Sequence, residues 1–127
     1  MLGSTLTVTM DGSGGTAKTL PNIGPGTIPQ SSVYFLDEGL VTYRADVRHT
    51  SDNVKLGTQP YDRHTVTFTR FVKPTAAIPL GSSTQIIYTI RTDPNGVVAD
   101  VVDLSEAMSF YMVKAGGIAT KLLGLES

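Results

Sequence analysis

Residues 40–50 read LVTYRADVRHT, and their alternation decides the fold. Val41, Tyr43, Ala45 and Val47 fall on one side of an extended chain; Thr42, Arg44, Asp46, Arg48 and Thr50 fall on the other. Successive side chains of a β-strand point to opposite faces, so this stretch predicts a strand with one apolar and one wet face. Residues 63–72, RHTVTFTRFV, repeat the pattern, with Val66 and Phe68 on one side and Arg63, Thr65, Thr67 and Thr69 on the other. Residues 84–92, TQIIYTIRT, are rich in β-branched side chains and predict a third strand of the same kind.

Working outward, residues 5–10 alternate threonine with Leu6, Val8 and Met10, which predicts a half-buried strand. The run DGSGG at 11–15 supplies turn residues, and residues 16–20 return as the hairpin partner. Residues 21–29 hold three prolines and two glycines and read as a loop. Residues 31–37, SSVYFLD, predict a short strand that turns through Glu38-Gly39 into the next one. Residues 51–60 are polar and turn-rich, residues 73–83 form a loop with Pro74 and Pro79, and Asp93-Pro-Asn-Gly96 is a turn.

The period then changes. Asp103 and Glu106 have the spacing of a capping box. Leu104, Ala107, Met108, Tyr111, Met112 and Ala115 follow as one helical stripe, which Gly116-Gly117 ends. A second short helix is expected over 118–125. The fold class is therefore α+β: an N-terminal β-hairpin, an antiparallel sheet of about five strands and two C-terminal α-helices in a single domain, 1–127. Two short helices are too small to cover such a sheet, so its apolar face is expected to be completed by a second subunit in a symmetric dimer.

The chain has 127 residues and a formal charge of −1. All five arginines lie in the three strands at 40–50, 63–72 and 84–92, with Asp46 as the one acid there, so those strands carry a formal +4. A positive sheet face on an otherwise acidic small protein suits a polyanion such as RNA. The bulk charge excludes a generally basic, nonspecific binder. Without cysteine there is no disulfide framework, Cys-based zinc site or thiol nucleophile. No apolar run approaches the roughly 20 residues of a membrane span. The N-terminus lacks the basic start and apolar core of a signal peptide.

This order of elements resembles the coat proteins of small single-stranded RNA bacteriophages, the levivirus type, and within them the Caulobacter RNA phage branch. The likeness is carried by LTVTMDGSGGTAK at 6–18, RADVRHT at 44–50, YDRHTVTFT at 61–69, DLSEAMSFYM at 103–112 and LLGLES at 122–127. The resemblance implies an interlocked homodimer in which each subunit's helices lie across the partner's sheet. It also implies assembly of dimers into an icosahedral shell, with the joined sheets facing the packaged RNA. The protein would then be a virion component, assembled in the cytoplasm of a bacterial host. In well-known members the same inner sheet binds an RNA hairpin at the replicase start and represses translation. The loop with Lys73, Pro74, Ile78 and Pro79 sits where the family places its loops between dimers. With the family's parity, Gln85, Ile87, Thr89 and Arg91 face inward and Tyr88 does not, which weakens the case for a sequence-specific hairpin pocket.

Arg44, Arg48, Arg63 and Arg91 are the expected phosphate contacts, because guanidinium donors form a fixed fork. Thr65, Thr67 and Thr89 add hydroxyls for phosphate, sugar or base edges. Asp46 repels phosphate and is expected to orient Arg44 or Arg48, or to read a base donor. Arg70 has the opposite parity and is assigned to a loop or subunit contact. His49 and His64, with Asp62 near in sequence, do not make a nucleophile–base–orienter set, and no enzymatic activity or small-molecule substrate is expected. The DGSGG run lacks the G-K-[ST] ending of a phosphate loop, and Asp93-Pro-Asn-Gly lacks the calcium-loop spacing. No metal site is assigned within the chain. A divalent cation such as calcium could still sit between subunits, where loop carboxylates of different chains would meet. The alternative to a coat is a dimeric RNA-binding regulator that never assembles.

Overall fold

A computed structural model describes residues 3–10, 15–26, 28, 30–52, 60–113 and 118–124. Its strands are β1 (Thr5–Thr9), β2 (Ala17–Pro25), β3 (Ser31–Asp37), β4 (Val41–Ser51), β5 (Asp62–Val72) and β6 (Ser82–Thr92). Two helices follow, α1 (Val98–Val113) and α2 (Ile118–Leu123). The strands form one six-stranded sheet in sequence order, β1 to β6. The chain divides into two compact units, Met1–Arg91 with the sheet and Thr92–Ser127 with the helices.

The expected parity of the central strands holds in the register. Tyr43, Ala45 and Val47 of β4 stand opposite Leu36, Tyr34 and Ser32 of β3 and Arg70, Phe68 and Val66 of β5. Tyr34, Tyr43, Ala45 and Val47 are buried together with Leu20 of β2, and Leu6, Met10, Leu36, Val41, Val66 and Phe68 pack around them. The β1–β2 hairpin thus covers the β3–β4 part of the apolar face, while Ile86 of β6 stays 64% exposed. Lys18 fastens it from the side: its Nζ donates to Glu38 Oε1 at 2.7 Å and lies 5.5 Å from the Tyr43 ring centroid. The Tyr34 hydroxyl donates to the Gly3 carbonyl at 3.1 Å.

The prolines at 21 and 25 do not make a loop: β2 runs through both, and the sheet has six strands where about five were expected. Proline lacks an N–H and is tolerated at strand edges and bulges. Here β2 changes register between Asn22 and Gly24. The displaced ladder donors find other partners, Asn22 N on Ser4 O at 2.9 Å and Gly24 N on Asn22 Oδ1 at 2.8 Å.

The β3–β4 turn falls at Glu38-Gly39, as expected. β6 starts at Ser82, two residues earlier than predicted, and Gly81 closes the loop before it. Gly81 has φ +74°, and a Cβ there would stand 2.6 Å from the Val72 carbonyl oxygen and 3.1 Å from Phe71 Cζ. Gly39 has φ +87° with nothing within 4 Å of a built Cβ. Gly81→Ala is therefore expected to destabilise by about 2 kcal/mol or more, combining left-handed backbone strain with a clash. Gly39→Ala meets only the backbone term, about 1–2 kcal/mol. Thermal melts of the two variants check the ordering.

Helix α1 begins at Val98, so Asp103 and Glu106 lie inside it and do not cap it. The helix grows directly out of the Asp93–Gly96 turn, in which Asp93 Oδ1 accepts from Asn95 N and Asp93 O from Gly96 N, each at 2.8 Å. Val101 N already bonds to Val97 O at 3.2 Å, and Asp100 supplies the acid that a first turn favours. No residue of α1 is buried, and Leu104 is 74% exposed. Residues 11–14 of the DGSGG turn, the Gly116-Gly117 stop, most of the 51–60 loop and the end of the 118–125 helix lie outside the described residues.

Candidate nucleic-acid interface

Across the sheet, Arg44 stands opposite Thr69, Asp46 opposite Thr67, Arg48 opposite Thr65 and Thr50 opposite Arg63. Directly opposed residues share a sheet face, here the one turned away from the core. Thr89 of β6 joins it, with its Oγ1 3.3 Å from Thr65 Oγ1, and Gln85 Nε2 donates to Thr69 Oγ1 at 3.4 Å. Arg91 meets the same carboxylate as Arg63. The structure thus brings Arg44, Asp46, Arg48, Arg63, Thr65, Thr67, Thr89 and Arg91 onto one surface.

Asp46 orients Arg44 in a two-pronged pair, with Nε on Oδ2 and Nη2 on Oδ1, both at 2.9 Å. This bond raises the already high pKa of Arg44, so the guanidinium stays charged at any pH the fold survives. Arg48 has no acid partner among the described residues. The groove beside these groups, about 280 Å³, is lined by Ile23, Pro25, Gly26, Val33, Arg44, Asp46 and Arg48. Its apolar floor next to charged rims suits a flat, amphipathic group such as a nucleobase over a phosphate.

Asp52 was missed by sequence reasoning, which left it in the polar 51–60 stretch. It follows β4 with the parity of Arg48 and Thr50, so a period-two count carried two residues further would have placed it on this face. Its Oδ1 accepts from Arg63 Nε at 2.7 Å and also from Arg63 Nη2, and its Oδ2 pairs with Arg91 Nη2. The Arg63 hydrogen bond holds the Asp52 carboxyl below its ordinary range against the opposing effect of burial, and Arg91 adds to the lowering. The folded pKa is thus below the unfolded one. The pairing contributes fully above about pH 4 and is lost as pH falls through the folded value. A second groove of about 390 Å³ is lined by Asp52, Arg63, Thr89 and Arg91.

Among the loop residues singled out, Lys73 is tied to the sheet: its Nζ lies 3.2 Å from Asp37 Oδ2, and its N–H donates to Leu40 O at 2.9 Å. The backbone bond from Gly39, and then Lys73, lower the pKa of Asp37. Pro74, Ile78 and Pro79 stand exposed on a loop closed by a Thr75–Ile78 turn. Arg70 stands on the opposite face, beside Tyr43. His49 and His64 are cross-strand neighbours on that face with Nδ1 atoms 2.8 Å apart, while Asp62 Oδ1 accepts from Ser51 Oγ at 3.4 Å. Among the described residues no His–carboxylate pair forms.

An antiparallel sheet with one apolar and one arginine-bearing face, followed by two helices, is the architecture of RNA phage coat proteins. The solved virus-like particle of bacteriophage ESE058 superposes with a TM-score of 0.70 over 97% of this chain and 96% of that one, at 11% identity. The coat protein of bacteriophage EMS014 gives 0.65 over 94% and 79%, at 16% identity. An unassembled virus coat protein dimer, described as a bacteriophage RNA-binding dimer, gives 0.54 over 97% and 94%, at 12% identity. No curated protein sequence matches the chain. The family model for the phage phiCb5 coat protein matches residues 3–93, and the chain belongs to that family.

Proposed function

We propose that this capsid protein forms a homodimer, assembles into an icosahedral shell and packages single-stranded phage RNA against its arginine-bearing sheet face. The observation that carries this reading is the segregation of the sheet. One face carries the hydrophobic core, and the other holds Arg44, Arg48, Arg63 and Arg91 against Asp46 and Asp52, a formal +2. Such a surface neutralises phosphate without requiring a particular sequence.

The dimer follows from what the single chain leaves uncovered. β6 ends the sheet, with no strand beside its far edge among the described residues, and Ile86 on it is 64% exposed. A long apolar edge is a pairing surface. Pairing β6 with its copy joins two sheets into one, and helices with no buried residue gain a partner's sheet to cover. In that arrangement sheet and helices work as one coat domain. The exposed loop with Pro74, Ile78 and Pro79 supplies contacts between dimers. Shell assembly takes place in the cytoplasm of the bacterial host, and repression of replicase translation would require the same face to recognise an RNA hairpin as well.

The test is expression of the chain alone in bacteria, followed by sizing and negative-stain electron microscopy. Uniform spheres whose absorbance is dominated by nucleic acid are expected, and the chain's lack of tryptophan makes that signal plain. A folded, soluble dimer that binds RNA without forming particles would replace the coat reading with the free regulator. Shortening the 73–81 loop separates the two, since it alters particles but leaves RNA binding intact.

A further inference from the structure

The Asp52 carboxylate sits between two guanidiniums on a surface otherwise suited to anions. Its side chain is 9% exposed, whereas those of Arg63 and Arg91 are 47% and 60% exposed. The acid is thus beneath and the two cations stand above it. Arg63 directs Nε and Nη2 at Oδ1, and Arg91 Nη2 lies in ion-pair contact with Oδ2, which accepts no aligned hydrogen bond. Each guanidinium carries further N–H donors that this contact leaves unused. Arg91 is also steadied by the Tyr61 ring, 5.7 Å from its guanidinium carbon. The Thr89 hydroxyl completes the lining of the groove.

Two like charges brought side by side repel, and long side chains lose rotamer freedom when fixed. A carboxylate shared between them offsets both effects in advance. A ligand then meets cations that are already oriented, and preorganisation of this kind raises affinity by reducing the ordering left to do on binding. The donors of two arginines converging over one groove match the several acceptor oxygens of one phosphodiester better than two freely moving chains do.

We propose that Asp52 is a positioning residue that fixes Arg63 and Arg91 as a two-guanidinium fork for a single RNA phosphodiester, a subsite separate from the Arg44–Arg48 groove. The inference rests on the RNA-binding reading above and deepens it. By net charge alone, removing an acid from a basic face tightens RNA binding and steepens its salt dependence. If Asp52 acts by positioning, removing it weakens binding although the protein becomes more positive.

The experiment measures binding of the full chain to a short unstructured polyuridine over a series of salt concentrations, with a thermal melt of each variant. Asp52→Asn is expected to weaken binding about fivefold, and Asp52→Glu to restore most of it, because the bridging charge returns. In the Asp52→Asn background, Arg63→Ala is expected to have a smaller effect than in the wild type, since the fork is already lost. Arg63→Lys with Arg91→Lys keeps every charge but abolishes the fork, and the same weakening is expected. That variant decides the matter if Asp52→Asn does not fold. Equal or tighter binding by Asp52→Asn, or unchanged binding by the double lysine variant, overturns the proposal and leaves Asp52 a simple counter-charge. Wild-type protein with no salt-dependent binding overturns the RNA reading itself.

Discussion

Changing Arg44 and Arg48 together to alanine is expected to weaken RNA binding by about 2–3 kcal/mol, roughly 30- to 150-fold, from the loss of charge-assisted bonds to phosphate. The two residues lie two positions to either side of Asp46 on the same face of β4. Arg44 is held by Asp46, and Arg48 has no acid partner among the described residues. Their removal therefore deletes two cations and also leaves Asp46, previously paired, as an uncompensated acid facing the ligand. Single-stranded RNA releases counterions at about 0.7 per phosphate contact, so the slope of log K against log salt is expected to fall by about 1.4. Particles of the variant should carry less RNA. Salt titrations and the nucleic-acid absorbance of purified particles check both statements. An unchanged slope with unchanged RNA content would remove these arginines from the interface.

The second large effect concerns the opposite face. Tyr34 is fully buried, stands opposite Ala45 and packs with Leu20 and Tyr43, while its hydroxyl bonds to the Gly3 carbonyl. Tyr34→Ala is expected to destabilise by about 3–5 kcal/mol, as large aromatic deletions in a core do. That is a large part of the roughly 5–15 kcal/mol that holds a domain folded. Tyr34→Phe keeps the ring and loses one hydrogen bond, about 1 kcal/mol. Urea midpoints of the two variants should differ accordingly, and particle yield should follow stability. Near-equal midpoints would mean that the covering hairpin does not seal this core.

The two predictions lie on opposite faces of the same strands, and that division was legible in the alternation of residues 40–50. A strand has a side-chain period of two, so neighbours in sequence report opposite faces without any knowledge of the partner strand. The separation of Arg44 and Arg48 from Tyr43, Ala45 and Val47 needed nothing more. The change of period after Asp93-Pro-Asn-Gly96 similarly announced the helices, because turn residues and a helical stripe are local signals.

Features that depended on a distant partner were not legible. β2 runs through Pro21 and Pro25 because Thr5 and Ser32 pair there and a register shift removes the demand for ladder donors. Locally those prolines signal a break. Helix α1 starts before Asp103 because it follows directly on the Asp93 turn, and the capping spacing of Asp103 and Glu106 recurs inside a helix as readily as at its start. Asp52 is the instructive case. It lies 11 residues from Arg63 and 39 from Arg91, and only the pairing of β4 with β5, and the placing of β6 beside β5, brings the three charges together. Period-two patterning decides which way a side chain points along its own strand. Which charges meet across strands is a property of register, and register is set by the packing of the whole sheet.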